Sequence, residues 1–134
     1  MAIIPYLGFH GKASEAIDYY EKVFKGQDKQ VMRFSDLPAN PDYPMPEEQN
    51  DWVGHASMSL CGAKVYFGDQ MEPMNPSTAI ALLIELDTVE EVQRIYDELR
   101  KEGEVLIEIT PTFYAKMYAW VKDKYGVNWQ LICE

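Results

Sequence analysis

The chain has 134 residues, 47% of them apolar, and its 22 acidic and 12 basic side chains leave a net charge of −10. That length is one domain's worth, enough to bury a core without disulfides, and no run of about 18 apolar residues supplies a membrane helix. The charge repels nucleic-acid phosphates and anionic membranes, which sets both aside as partners; it serves solubility and would also favour a cationic small molecule.

The first residues, Met1-Ala2-Ile3-Ile4-Pro5, lack the basic n-region and long apolar stretch of a signal peptide. Residues 3–9 read as a short strand, with Pro5 at an edge or non-bonding position. Ala13, Ala16, Ile17, Tyr20 and Phe24 then recur at helical spacing, with Glu15, Asp18, Glu21 and Lys22 on the opposite face and Gly26 as the stop. Val31 to Phe34 reads as a second strand. Pro38, Pro41, Pro44 and Pro46, with Asn40, Asp42 and Asn50, make the following stretch a loop that no regular element could tolerate. Val53 to Leu60 and Lys64 to Phe67 are two strands joined at a Cys61-Gly62 hairpin turn.

After a second loop with Pro73 and Pro76 the order restarts. Thr78 to Leu86 reads as a strand buried on both faces, and Asp87 with Glu90 has capping-box spacing for a helix whose core face is Val89, Val92, Ile95, Tyr96 and Leu99, closed by Gly103. Val105 to Ile109, Lys116 to Val121 and Val127 to Cys133 are the last strands, with a turn at Tyr125-Gly126. Tyr20 and Tyr96 occupy matching helix places, 96 − 20 = 76 residues apart. Each half therefore reads strand, helix, three strands. The expectation is a single α+β domain of two βαβββ modules, about 1–70 and 76–134, with curved mixed sheets around a cleft.

The opening P-Y-L-x-F, the helix pattern E-A-I-x-Y-Y, the G-H-A before the C-G hairpin and the late T-F-Y…V-x-D-K-Y-G-V-N-W together resemble the PhnB-like branch of the vicinal oxygen chelate superfamily. That superfamily includes glyoxalase I, fosfomycin-resistance enzymes and bleomycin-binding proteins. The resemblance covers nearly the whole chain apart from the Pro-rich loop. It implies the paired βαβββ fold, a U-shaped cavity in each module's sheet and a homodimer. Metal-dependent members place His, Gln or Glu at equivalent inward strand positions, since imidazole and carboxylate suit a divalent ion. Carried onto this chain, those positions fall on Pro5, on Leu82 or Ala81, on Ser57 and on Gln130. Only Gln130 is a plausible donor. The resemblance therefore implies no metal and no cofactor here.

Other residues keep two readings open. His55 shares a strand face with Ser57 and reads either as a general base or ligand contact, or as a wall histidine satisfied by a backbone carbonyl. Tyr118 and Trp120 alternate along one strand and by the resemblance face the cavity, with Trp52, Phe113, Tyr114 and Trp129 in the same elements. With Gln130, Ser57 and Arg33 they either line a site for a flat or cationic organic ligand or fill core and interface. His10 belongs at the surface or a turn. Most of the seven methionines fill core gaps, while Met45, Met71 and Met74 lie in loops that could lid a cleft. Cys61 and Cys133 read as buried thiols of a reducing, cytoplasmic compartment; Cys61 has no basic neighbour to activate it.

Three functions fit these residues. The first is a metal-free small-molecule binding protein of the bleomycin-resistance type, with an aromatic cleft. The second is a metal-dependent lyase, isomerase or dioxygenase of glyoxalase type using His55 and Gln130. The third is a dimeric scaffold without a ligand.

Overall fold

The computed structural model describes residues 1–38, 41–42 and 46–134. Asn40 and Pro44 of the Pro-rich loop, and Met45 of the expected lid, lie outside the described residues. The chain divides into two compact units, Met1–Met74 and Asn75–Glu134. The first holds β1 (Tyr6–Phe9), α1 (Ala13–Phe24), β2 (Gln27–Arg33), β3 (Val53–Leu60) and β4 (Ala63–Asp69). The second holds β5 (Leu82–Glu85), α2 (Val89–Arg100), β6 (Glu104–Thr110), β7 (Met117–Lys122) and β8 (Asn128–Cys133). Each unit builds a four-stranded mixed sheet, ordered β1-β4-β3-β2 in one and β5-β8-β7-β6 in the other. In both, the first strand joins the last in parallel and the other pairs are antiparallel. The α+β reading of two βαβββ modules is thus what the chain forms.

Helix period and strand alternation decide which face of each sheet is covered. In the first unit Ala16, Ile17, Tyr20, Val23 and Phe24 of α1 are buried against Ala56 and Met58 of β3 and Phe67 of β4, and the Tyr20 and Phe67 rings stack at 6.1 Å. In the second, Val92, Ile95, Tyr96 and Leu99 of α2 cover Ala119, Val121, Trp129 and Leu131. Each large side chain in these layers contributes about 1.5–3 kcal/mol by leaving water. Because side chains alternate, the residues between them necessarily point to the face with no helix. On β3 those are His55, Ser57 and Ser59; on β7 they are Tyr118, Trp120 and Lys122.

Several boundaries differ from the reading of the sequence, each for a physical reason. β1 begins at Tyr6, so Pro5 precedes the strand, and its carbonyl accepts the Tyr66 N–H at 2.9 Å. β2 starts at Gln27, earlier than Val31, because this edge strand is mostly exposed and polar and shows little hydrophobic alternation. β5 is shorter than Thr78 to Leu86 and is not buried on both faces: Ile80 is 76% exposed and Leu83 56%, while Ile84 alone of its strand is buried. As an edge strand paired with β8 alone, β5 contributes only that side to the core. The N-cap of α2 is Thr88, whose Oγ1 accepts the Glu91 N–H at 3.1 Å, one residue past the expected Asp87.

The end of α1 also departs from expectation. Lys25, not Gly26, takes the left-handed conformation (φ 54°), and the Gly26 N–H closes the turn on Glu21 O at 2.9 Å. Gly26 is small for a packing reason: a Cβ there would lie 2.5 Å from the Met58 sulfur. Lys25→Gly removes the left-handed cost of a side chain and should raise stability by about 0.5–1 kcal/mol, read from urea midpoints at constant m. The β3–β4 turn is the expected hairpin, with positive φ at both Cys61 (50°) and Gly62 (83°).

Candidate functional site

The helix-free face of the first sheet is built from β1, β4, β3 and β2. Tyr6 pairs with Tyr66, Tyr66 with Ser57, and His55 with Met32, so these side chains share one face. His55 meets Tyr66 edge-on at 4.8 Å, and Lys64 Nζ lies 5.2 Å from the centre of the same ring. Gln70 Nε2 donates to Tyr6 Oη at 2.5 Å. Burial, chiefly, and the negative charge of Asp69 push the Tyr6 hydroxyl above the usual tyrosine range, against the opposing effect of the Gln70 hydrogen bond. Below this layer the buried Asp69 ties the unit together. Its Oδ1 accepts from Gly11 N (2.8 Å) and Ala13 N (3.1 Å), and its Oδ2 from Val53 N (2.9 Å).

On the second sheet, Tyr118 pairs with Ile132, Trp120 with Gln130 and Lys122 with Asn128, and Leu83 lies beside Gln130. Tyr118, Ile132 and Ala115 form a small buried cluster against which Trp120 packs. The polar tips of both rings are engaged: Tyr118 Oη donates to Gln130 Oε1 at 2.7 Å, and Trp120 Nε1 to Asn128 Oδ1 at 3.2 Å. Asn128 Nδ2 donates in turn to Ser77 O at 2.6 Å. Burial, and secondarily Tyr114, pushes the Tyr118 hydroxyl above its ordinary range, so it stays a neutral donor near pH 7. The result is an ordered aromatic face with its amides held in place.

The expected site residues therefore separate into groups. His55 and Ser57 share the first face; Tyr118, Trp120 and Gln130 share the second. Arg33 pairs with the buried Val53 past a bulge, on the side opposite His55, and its Nη1 donates to Asp51 O at 2.9 Å. Trp52 lies just before β3, edge-on to His10 at 5.0 Å and close to Phe34, with its ring in the space that a Gly11 side chain would need. Trp129 is core, 2% exposed, with Nε1 donating to Asp123 Oδ2 at 2.8 Å. Phe113 and Tyr114 stand exposed in the loop before β7. Cys133 is buried as expected, but Cys61 is not: it sits at the tip of the β3–β4 hairpin, where its side chain is exposed. His10 is exposed and donates to Gln70 O at 2.9 Å. Of the expected lid, Met74 lies over Gly8 and Met71 is exposed.

Tyr6, Tyr66 and Asp69 were not among the expected site residues. Alternation of Tyr6 and Gly8 against Leu7 and Phe9 carries the signal for the first. Asp69 gives none, since its partners are backbone N–H groups remote in sequence.

The metal that the superfamily implies does not fit these residues. Pro5 has no donor, Ser57 is a poor ligand, and Gln130 Oε1 already accepts the Tyr118 hydroxyl. On β5 the face shared with Gln130 belongs to the apolar Leu83, while Leu82 pairs with Trp129. Among the described residues no three His, Cys, Asp or Glu side chains are grouped for an ion.

The family model described as 3-demethylubiquinone-9 3-methyltransferase matches residues 1–132. The protein YjdN of Escherichia coli (strain K12) is 28% identical over 138 residues, spanning 98% of this chain and 94% of its own. The PhnB protein from Bacillus cereus is similar at 27% identity over 100% of both chains, with a TM-score of 0.79. A glyoxalase/bleomycin resistance protein from Albidiferax ferrireducens T118 shares the fold alone, at 9% identity and TM-score 0.62 over 100% of this chain and 98% of its own. With that family model spanning both βαβββ units, the chain belongs to the PhnB-like family described as 3-demethylubiquinone-9 3-methyltransferase.

Proposed function

We propose that this protein binds a small organic molecule without a metal, on the aromatic helix-free faces of its sheets, both units serving one glyoxalase-like domain. The observation that carries the reading is the second face, where Tyr118 and Trp120 stand side by side with their polar tips tied to Gln130 and Asn128. Ring surface with a few fixed polar groups is the chemistry of a small-molecule site. On that face Glu85 pairs with Ile132 and Glu104 with Lys122, two carboxylates to one ammonium, which, with the net charge of −10, favours a flat cationic ligand there.

Methyl transfer, named in the family's description, gains no support from the fold. S-adenosylmethionine-dependent enzymes typically use a glycine-rich turn after the first strand of a doubly wound sheet. Here both sheets are mixed, Gly8 sits within β1 paired with Gly68, and Gly11 makes room for Trp52. Resemblance of fold does not supply the activity. The glyoxalase-type enzyme reading needs a third ligand to join His55 and Gln130.

Titrating the protein with a planar cationic acridine tests the proposal. Tryptophan emission should be quenched saturably, Kd should rise as salt is raised, and Trp120→Phe should remove most of the quenching and weaken binding about fivefold. Quenching that survives in Trp120→Phe would sink the second-face assignment. Stabilisation by several degrees with Ni²⁺, Zn²⁺, Mn²⁺ or Fe²⁺ would put the metal-dependent enzyme first. The same reading includes a cytoplasmic homodimer. Exposed Phe113, Ile80 and Leu83 support the pairing, to be checked by light scattering, and the absence of a disulfide between Cys61 and Cys133 supports the compartment.

A further inference from the structure

At the end of β7 the second sheet borders a cavity of about 430 Å³, walled in part by Pro76, Gly103 and Gly126. Gly103 draws the end of α2 onto the end of β7, since a Cβ there would lie 2.5 Å from Lys122 O. Gly126, at φ 89°, lies against Pro76, whose ring would be 2.9 Å from an added Cβ. Asn128 links this wall to the aromatic face. Its Nδ2 donates to Ser77 O, next to Pro76, and its Oδ1 accepts from Trp120 Nε1. Asn128 is also the cross-strand partner of Lys122, so the Trp120 indole N–H is turned toward the strand end that lines the cavity.

The charged groups around the cavity divide into two kinds. Lys124 and Glu102 satisfy each other at 3.1 Å, and Lys124 Nζ also lies 5.4 Å from the centre of the Tyr125 ring. Asp123 is buried, with its oxygens taken by Tyr125 N, Val127 N and Trp129 Nε1. Lys122 and Glu104 differ. They are paired across β7 and β6, share the face that carries Trp120, and both line the cavity. Neither side chain has a hydrogen bond or an ion pair among the described residues. Lys122 extends along Gly126, where an added Cβ would come 4.0 Å from its Cε.

We infer that this cavity takes the zwitterionic head of an aromatic amino acid or a close derivative, its carboxylate at Lys122, its ammonium at Glu104 and its ring on Trp120. This rests on the small-molecule reading above and extends it, giving the cation-favouring face an anionic contact at one end. Neighbouring ammonium and carboxylate groups with no bridge between them suit a head group of both signs. A head group of one sign gains one partner and meets a like charge beside it.

Phenylalanine, phenethylamine and 3-phenylpropionate share a ring and differ in head group, so they test the inference by amide chemical-shift titration of the ¹⁵N-labelled protein. Phenylalanine should move the Trp120 indole N–H together with the amides of Glu104, Lys122 and Gly126. It should bind about fivefold more tightly than either analogue of single charge. Glu104→Gln should bring phenylalanine to the affinity of 3-phenylpropionate, and Lys122→Gln to that of phenethylamine. Neither side chain belongs to the core, and an unchanged spectrum elsewhere checks the fold. Phenethylamine binding as tightly as phenylalanine, with shifts confined to Trp120 and its neighbours, would overturn the head-group site and leave the small-molecule reading standing. Full phenylalanine affinity in both variants would overturn it as well. If none of the three moves a resonance at millimolar concentration, both readings fall.

Discussion

Asp69→Ala should destabilise the first unit by about 3–4 kcal/mol, lowering Tm by about 10 °C. Asp69 is 5% exposed and accepts three backbone N–H bonds, from Gly11, Ala13 and Val53, at 2.8–3.1 Å. These join the turn before α1 to the start of β3, so a single carboxylate fixes how helix and sheet meet. Alanine leaves three donors without a partner in a site water enters poorly, at about 1–3 kcal/mol each before relaxation. Asp69→Asn keeps one acceptor oxygen and sets an NH₂ group against donors on the other side, so it should fall between alanine and the wild type. Hydrogen exchange supplies the local check: the amides of Gly11, Ala13 and Val53 should lose protection first. A loss under about 1 kcal/mol for alanine would mean that water replaces the carboxylate and that the knot does not hold the unit.

Where the sequence could be read correctly, the reason was period. Both helices carry wide apolar stripes, and their core residues Ile17, Tyr20, Val92 and Leu99 are the ones that are buried. Alternation likewise placed Tyr118 with Trp120, and His55 with Ser57, on common faces. The edge strands were harder. β2 is solvated and bulged, and β5 presents one buried residue, so neither shows the pattern of a half-covered strand. On the first strand the superfamily's ligand position falls on Pro5, and a shift of one residue gives Ile4 or Tyr6, neither of which completes a metal site; a hydroxyl acting by hydrogen bonding has no such spacing signal. The aromatic residues misled for another reason: Trp52, Trp120 and Trp129 look alike in sequence, yet one packs on a loop glycine, one faces away from the helix, and one donates to a buried aspartate. Composition gives the number of rings, and only strand parity and hydrogen-bond partners assign each to a face.

Gly103→Ala should be the more damaging of two outwardly similar glycine substitutions, by about 2–3 kcal/mol or more against about 1 kcal/mol for Gly62→Ala. Gly103 follows α2, whose last turn ends at Arg100, and it does not cap the helix by a left-handed turn. Its smallness serves close approach. A Cβ there would lie 2.5 Å from Lys122 O, 2.6 Å from Leu99 O and 3.2 Å from the Cα of Asp123. All three are backbone atoms, so no flexible side chain can swing aside; the end of α2 and the end of β7 would have to part. Gly62 is the reverse case, with a positive φ of 83° and nothing within 4 Å of an added Cβ. Its substitution costs only the conformational preference of the hairpin turn. Urea melts of the two variants at equal m separate steric from conformational cost. Equal losses would show that α2 and β7 separate freely, and that the framework behind the Tyr118–Trp120 face is softer than its backbone contacts indicate.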